Sequence, residues 1–141
     1  MGKTSRTKGA TGEREFAGLI HDELGIRMVR RLTQYQSGGC DLQLAEGESG
    51  PIAQSLDRYA YEVKRHRKAT PALLRAWWAQ ACNQADDTGK TPALAYREDR
   101  AHWRVLIPLA ALDNRLPHAS GIEWTAALSI AAFCAVVREL N

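Results

Sequence analysis

The sequence predicts an α/β fold, a central mixed sheet flanked by helices and followed by a C-terminal helix. Three observations predict it. Phe16, Leu19, Ile20 and Leu24 recur at helical spacing near the start of the chain. Tyr59-Ala60-Tyr61-Glu62-Val63 has the aromatic and β-branched composition of a strand. Thr70-Pro71, an N-cap followed by proline at the first helical position, opens a second amphipathic run. The 141 residues suffice for one packed core and fall short of two ordinary ones. Residues 1–9 are expected as a flexible basic arm and 10–141 as a single domain.

Met1 to Gly9 is rich in Lys, Arg, Ser, Thr and Gly, the composition of a solvated terminus or of an arm lying along a polyanion. Thr11 is the expected N-cap of a helix from Gly12 to Leu24, which Gly25 stops. Glu13 then falls in the first turn, where the helix dipole alone explains a carboxylate. Ile26 to Leu32 is expected as a strand carrying Arg27, Arg30 and Arg31. Ser37-Gly38-Gly39 leads to Asp41 and a short strand, Leu42 to Ala45. Ser37 and the glycines suit either a plain turn or close approach to a phosphate.

Glu46 to Asp57 holds two glycines and a proline and is expected as a loop. After the Tyr59 strand, Arg65-His66-Arg67-Lys68 is a basic exit, either a solvated face or a contact for a phosphate backbone. In the helix Pro71 to Asp86, Leu73, Leu74, Trp77, Trp78, Ala81 and Ala85 form a broad stripe. Core packing accounts for Trp77 and Trp78, with stacking on bases the alternative. Gln80 and Gln84 lie near the edge of that stripe. Ala93 to Tyr96 and His102 to Ile107 are expected as a hairpin, Pro108 to Leu112 as a short helix, and Trp124 to Leu140 as one apolar helix buried on more than one side.

The net charge of +3 is mild, but its distribution is uneven. Arg27, Arg30 and Arg31 precede Asp41, and Arg58, Lys64, Arg65, Arg67 and Lys68 surround the Glu62 strand. Basic charge thus gathers where a phosphate binder needs it. Cys40, Cys82 and Cys134 are odd in number and far apart, as reduced thiols of a cytoplasmic protein are. No apolar run follows the basic start, so no signal peptide is read there. The longest apolar stretch, Ala126 to Val137, has 12 residues, against roughly 20 for a bilayer span; no membrane partner is expected. Gly89-Lys90-Thr91 lacks the rest of a P-loop, and the histidines have no metal or triad spacing.

The chemistry concentrates on one strand. Side chains alternate along it, so Glu62 and Lys64 share a face while Val63 points into the core. Burying such charges is costly unless they are paired or bind a metal. If the Asp41 and Glu62 strands are neighbours, the two carboxylates meet at one sheet edge. Carboxylates of this kind, with a lysine beside them, suit magnesium and a water held against a phosphodiester.

Asp41 followed by Glu62-Val63-Lys64 resembles the signature of the PD-(D/E)XK nuclease superfamily. Lys8-Gly9-Ala10-Thr11-Gly12-Glu13-Arg14, with Ser37-Gly38 ahead of the aspartate, is similar to the archaeal-type Holliday junction resolvases. The resemblance covers roughly residues 8–107, and it departs from the common pattern at Cys40, where proline is frequent, and in the long loop between the two strands. It implies a restriction-endonuclease-like α-β-β-β-α-β core and a magnesium-dependent DNA endonuclease, with manganese as a substitute ion. It implies metal ligation by Asp41, Glu62 and the Val63 carbonyl, Glu13 acting through water or a second ion, and Lys64 orienting the attacking water. A glutamine on the following helix, taken as Gln80, joins the site. Lys8, Arg14, Arg30, Arg31, Ser37, Arg65, Arg67 and Lys68 are the expected DNA contacts. A junction cut on two strands implies a homodimer and a role in DNA recombination and repair. A restriction-like or repair endonuclease acting on duplex or flap DNA is the alternative within this chemistry. A catalytically silent DNA-binding protein is the alternative outside it.

Overall fold

Among the described residues six strands form a single sheet in chain order, antiparallel throughout except for one central parallel pair. The computed structural model describes residues 2–31 and 40–140, and of residues 2–8 the backbone alone. The elements are α1 (Gly2–Leu24), β1 (Met28–Arg30), β2 (Leu42–Leu44), α2 (Pro51–Leu56), β3 (Tyr59–His66) and α3 (Pro71–Thr88), then β4 (Thr91–Glu98), β5 (Arg104–Pro108), α4 (Leu109–Leu112), β6 (Thr125–Leu128) and α5 (Ile130–Glu139). The parallel pair is β3 with β4, and α3 is the crossover that a parallel connection requires.

Alternation along β3 divides the molecule into layers. Tyr59, Tyr61 and Val63 point to one face, where they pack with Phe16 and Ile20 of α1 and Phe133 and Val137 of α5. On the other face Ala60 meets Ala85 of α3, and Leu94 of β4 meets Trp77, Trp78 and Ala81. The Tyr61 ring is fully enclosed, its hydroxyl donating to the Leu56 carbonyl at 2.8 Å. Both tryptophans of α3 are buried, as core packing requires. Thr70 caps α3 by accepting from the Leu73 amide, and Gly89 closes it at φ 69°, a left-handed position that glycine adopts without strain.

Several expectations are corrected. The backbone of residues 2–9, expected as an arm, continues α1 from Gly2, so Thr11 lies within the helix and is not its cap. Glu13 is therefore mid-helix, and a first-turn dipole no longer explains it. The Glu46–Asp57 loop contains α2, with Pro51 in its first turn. The strand expected from Ala93 begins two residues earlier, at Thr91. The C-terminal apolar run is not one helix: Ile122–Trp124 is a 3-10 turn, Thr125–Leu128 pairs with β5, and α5 starts only after Ser129, whose side chain accepts from the Ala132 amide. Pairing with β5 satisfies the backbone of Thr125–Leu128 as well as a helix would, and apolar composition does not distinguish the two. α5 also buries one side only, through Phe133, Cys134 and Val137, while Ala131 and Ala132 are exposed.

The three cysteines are free thiols. Among the described residues no helix is long and apolar enough to cross a membrane.

Candidate active site

β2 is short, and the site forms where it ends. Leu42 pairs with Tyr61, both facing the α1 core. Antiparallel register then sets Asp41 opposite Glu62, on the α3 side. Beyond this point β2 no longer supplies the ladder. The Asp41 amide still donates to the Tyr61 carbonyl at 2.7 Å, but the Val63 amide donates to a side chain, the Asp41 Oδ2, at 2.8 Å. Asp41 thus replaces a strand partner with its own carboxylate.

Three carboxylates sink into this region: Glu13, Asp41 and Glu62 are 5%, 8% and 2% exposed. Each has a different electrostatic setting. Glu13 accepts from Arg30 Nε at 2.7 Å. Glu62 Oε1 lies 3.0 Å from Lys64 Nζ, while its Oε2 is buried with no hydrogen-bond partner among the described residues. The Asp41 carboxyl is pushed up to about 8, first by burial, then by the negative charge of Glu62, with Glu13 adding to it. The Val63 amide and the Lys64 ammonium pull the other way and are outweighed. Among the described residues no three His, Cys, Asp or Glu side chains close into a ready-made cage. The acidic set is instead a close pair, Asp41 and Glu62, with Glu13 acting at longer range from α1.

A buried Glu62 oxygen with no hydrogen-bond partner among the described residues, beside an aspartate that resists ionisation, is a place where added positive charge is favoured. Hard oxygen donors of this kind suit a magnesium or manganese ion. Lys64 leaves that oxygen unpartnered: its amine contacts Glu62 through Oε1 alone, and its side chain remains 26% exposed.

The other expected residues divide. Arg30 is at the site through Glu13. Arg31 is adjacent, its amide donating to the Asp41 carbonyl at 3.0 Å and its Nη1 lying 3.8 Å from Cys40 Sγ. Arg65 is tied to Asp99 at 2.7 Å. Arg67 and Lys68 are exposed just beyond β3. Arg14 is not brought to the carboxylates; it is exposed and lines a shallow groove with His21 and Arg27. The side chain of Lys8 and the whole of Ser37 lie outside the described residues.

Gln80 is exposed, whereas Gln84, one turn on, is half-buried with its Oε1 buried and unpartnered among the described residues. Contacts of α3 explain the difference. Trp77 meets His66 edge to face and Ala85 meets Ala60, so the helix runs antiparallel to β3 and Gln84 lies beside the Ala60 to Glu62 segment. Gln84 sits next to a buried alanine, and that neighbour was the available sequence signal. The hollow of about 370 Å³ between Trp78, Cys82, Pro92 and Ser120 lies on the other flank of α3 and is lined by none of the carboxylates.

A family model described as "Phage putative PDDEXK endonuclease" matches residues 4–132. The chain belongs to this phage PDDEXK endonuclease family. Membership makes it a nuclease by descent. Protein D14 of Escherichia phage T5 is 24% identical over 131 residues, which cover 83% of this chain and 76% of that protein. The structure of Hjc, a Holliday junction resolvase from Archaeoglobus fulgidus, is similar at a TM-score of 0.49 and 18% identity, covering 91% of this chain and 96% of that one. Likeness of that degree leaves the substrate to be argued from the site itself.

Proposed function

We propose that the chain is a divalent-metal-dependent DNA endonuclease and that branched DNA, the four-way junction first, is its substrate. One observation carries the chemistry: Asp41 and Glu62 are set opposite each other on one face at the end of β2, with Glu62 Oε2 unpartnered and Lys64 alongside. Asp41 and Glu62, with the Val63 carbonyl, are the residues to hold magnesium, and Glu13 supports them from α1. Bound there, the ion supplies Lewis-acid stabilisation of charge at a phosphodiester.

The protein's own groups do the rest. Lys64, fixed by Glu62 and open to solvent, orients the attacking water and balances negative charge as it develops. Arg30 holds the Glu13 carboxylate in place. Arg31, just past β1, Arg65 on β3, and Arg67 and Lys68, just past β3, meet the phosphate backbone. The choice of branched DNA rests on the Lys8-Gly9 to Glu13-Arg14 and Ser37-Gly38 segments, and a homodimer follows from the need to cut two strands.

The test offers the purified protein and magnesium a labelled four-way junction beside linear duplex and flap DNA. Paired nicks in the junction, lost in Lys64→Ala with DNA binding retained, support the proposal. Equal cutting of duplex selects a restriction-like or repair endonuclease, and a fully active Lys64→Ala removes the mechanism.

A further inference from the structure

We infer that Gly12 is a positioning residue for Glu13, because α1 reaches the site only if no side chain stands between it and β3. The inference rests on the metal-site reading above.

A Cβ at Gly12 would lie 2.9 Å from Arg65 Cβ, 3.7 Å from its Cγ and 3.9 Å from its backbone nitrogen. The nearest of these atoms is fixed by the strand and cannot swing aside. Nor can the strand retreat. Arg65 is paired in register with Arg97 of β4, and its guanidinium is held by Asp99 at 2.7 Å. The helix must yield instead, and the next residue along it is Glu13.

Its freedom to yield is small. Phe16 and Ile20, one and two turns on, are completely buried. Glu15 accepts from Trp103 Nε1 at 2.7 Å and pairs with Arg97. A helix clamped this way responds to an obstruction at Gly12 by tilting its N-terminal part away from β3. The Glu13 carboxylate then leaves its place between Arg30 and the Asp41–Glu62 pair.

Local propensity points the other way, since alanine is the better residue inside a helix. Gly18 shows the contrast: a Cβ there meets nothing within 4 Å. Helix preference and site geometry therefore predict opposite outcomes for the same substitution at Gly12 and agree at Gly18.

The test measures manganese(II) binding by titration calorimetry on the full chain, with no DNA present. Wild type, Gly12→Ala, Glu13→Gln, the double variant and Gly18→Ala are compared. Expected are wild-type affinity for Gly18→Ala, a loss on the order of tenfold for Gly12→Ala, as for groups that orient ligands, and no further loss when Gly12→Ala is added to Glu13→Gln. Wild-type affinity in Gly12→Ala overturns the inference, and so does an equal loss in the Glu13→Gln background, which marks a general distortion. If Gly12→Ala does not fold, adding Arg65→Gly removes the obstructing Cβ: affinity equal to that of Arg65→Gly alone supports the inference, and a remaining loss overturns it. Absence of manganese binding in the wild type is a different failure, that of the metal site itself, and removes this inference with it.

Discussion

Asp41→Asn should stabilise the metal-free protein while destroying its metal site. The carboxyl of Asp41 is raised from 3.8 to about 8, so between those values the native state holds a proton that the unfolded chain releases. A folded-state pKa above the unfolded one means that the native state binds more protons, and stability therefore falls as pH rises from about 4 to about 8. At ~1.4 kcal/mol for each unit, the ceiling of that loss is ~6 kcal/mol. Water reaching the open sheet edge and rotation of the two carboxylates away from each other reduce it. The amide of asparagine keeps an oxygen for the Val63 N–H, so the bond at 2.8 Å survives the exchange. A gain of ~2 kcal/mol at pH 8, shrinking towards zero near pH 4, is the expected result. Urea unfolding of both proteins in EDTA at a series of pH values measures it. Added magnesium should then stabilise the wild type and leave the variant unchanged. A variant less stable than wild type at pH 8, or a difference that does not vary with pH, refutes the reasoning.

Gln84→Ala is expected to reduce cleavage roughly tenfold without loss of stability, because it removes a buried acceptor that has no partner; Gln80→Ala, at an exposed position, should match wild type in the same nicking assay. Glu15→Ala leaves Trp103 Nε1 and Arg97 without their shared acceptor, and a loss of ~2 kcal/mol is expected in urea unfolding. Tryptophan fluorescence should change with it. Ser129→Ala removes the cap of α5, at a cost of ~1 kcal/mol by thermal unfolding.

The Tyr59–His66 strand was legible because alternation is a local property. A carboxylate and an amine two residues apart share a face in any strand, and Val63 between them marks the core. Asp41 needed one long-range fact, the register of β2 on β3, which the order of elements made available. That Gln84 and not Gln80 is half-buried depends on the rotation of α3 about its axis. That rotation is set by Trp77 on His66 and Ala85 on Ala60, contacts to which the stripe alone is indifferent. The C-terminal segment was misread because Thr125–Leu128, polar only at Thr125, shows no period of two, so Ser129 as a helix start was the overlooked sign. Residues 2–9 carry two glycines, which weigh against helix on propensity, yet they extend a helix already anchored by Phe16 and Ile20.

Because Asp41 takes over the hydrogen bond that a neighbouring strand would otherwise supply, one peptide proton becomes a built-in gauge of the proposed metal centre. Any ligand that turns the Asp41 carboxylate must alter the bond from the Val63 N–H, and with it the chemical shift and deuterium-exchange rate of that proton. The state of the centre can thus be followed from the main chain, with no chromophore, label or DNA.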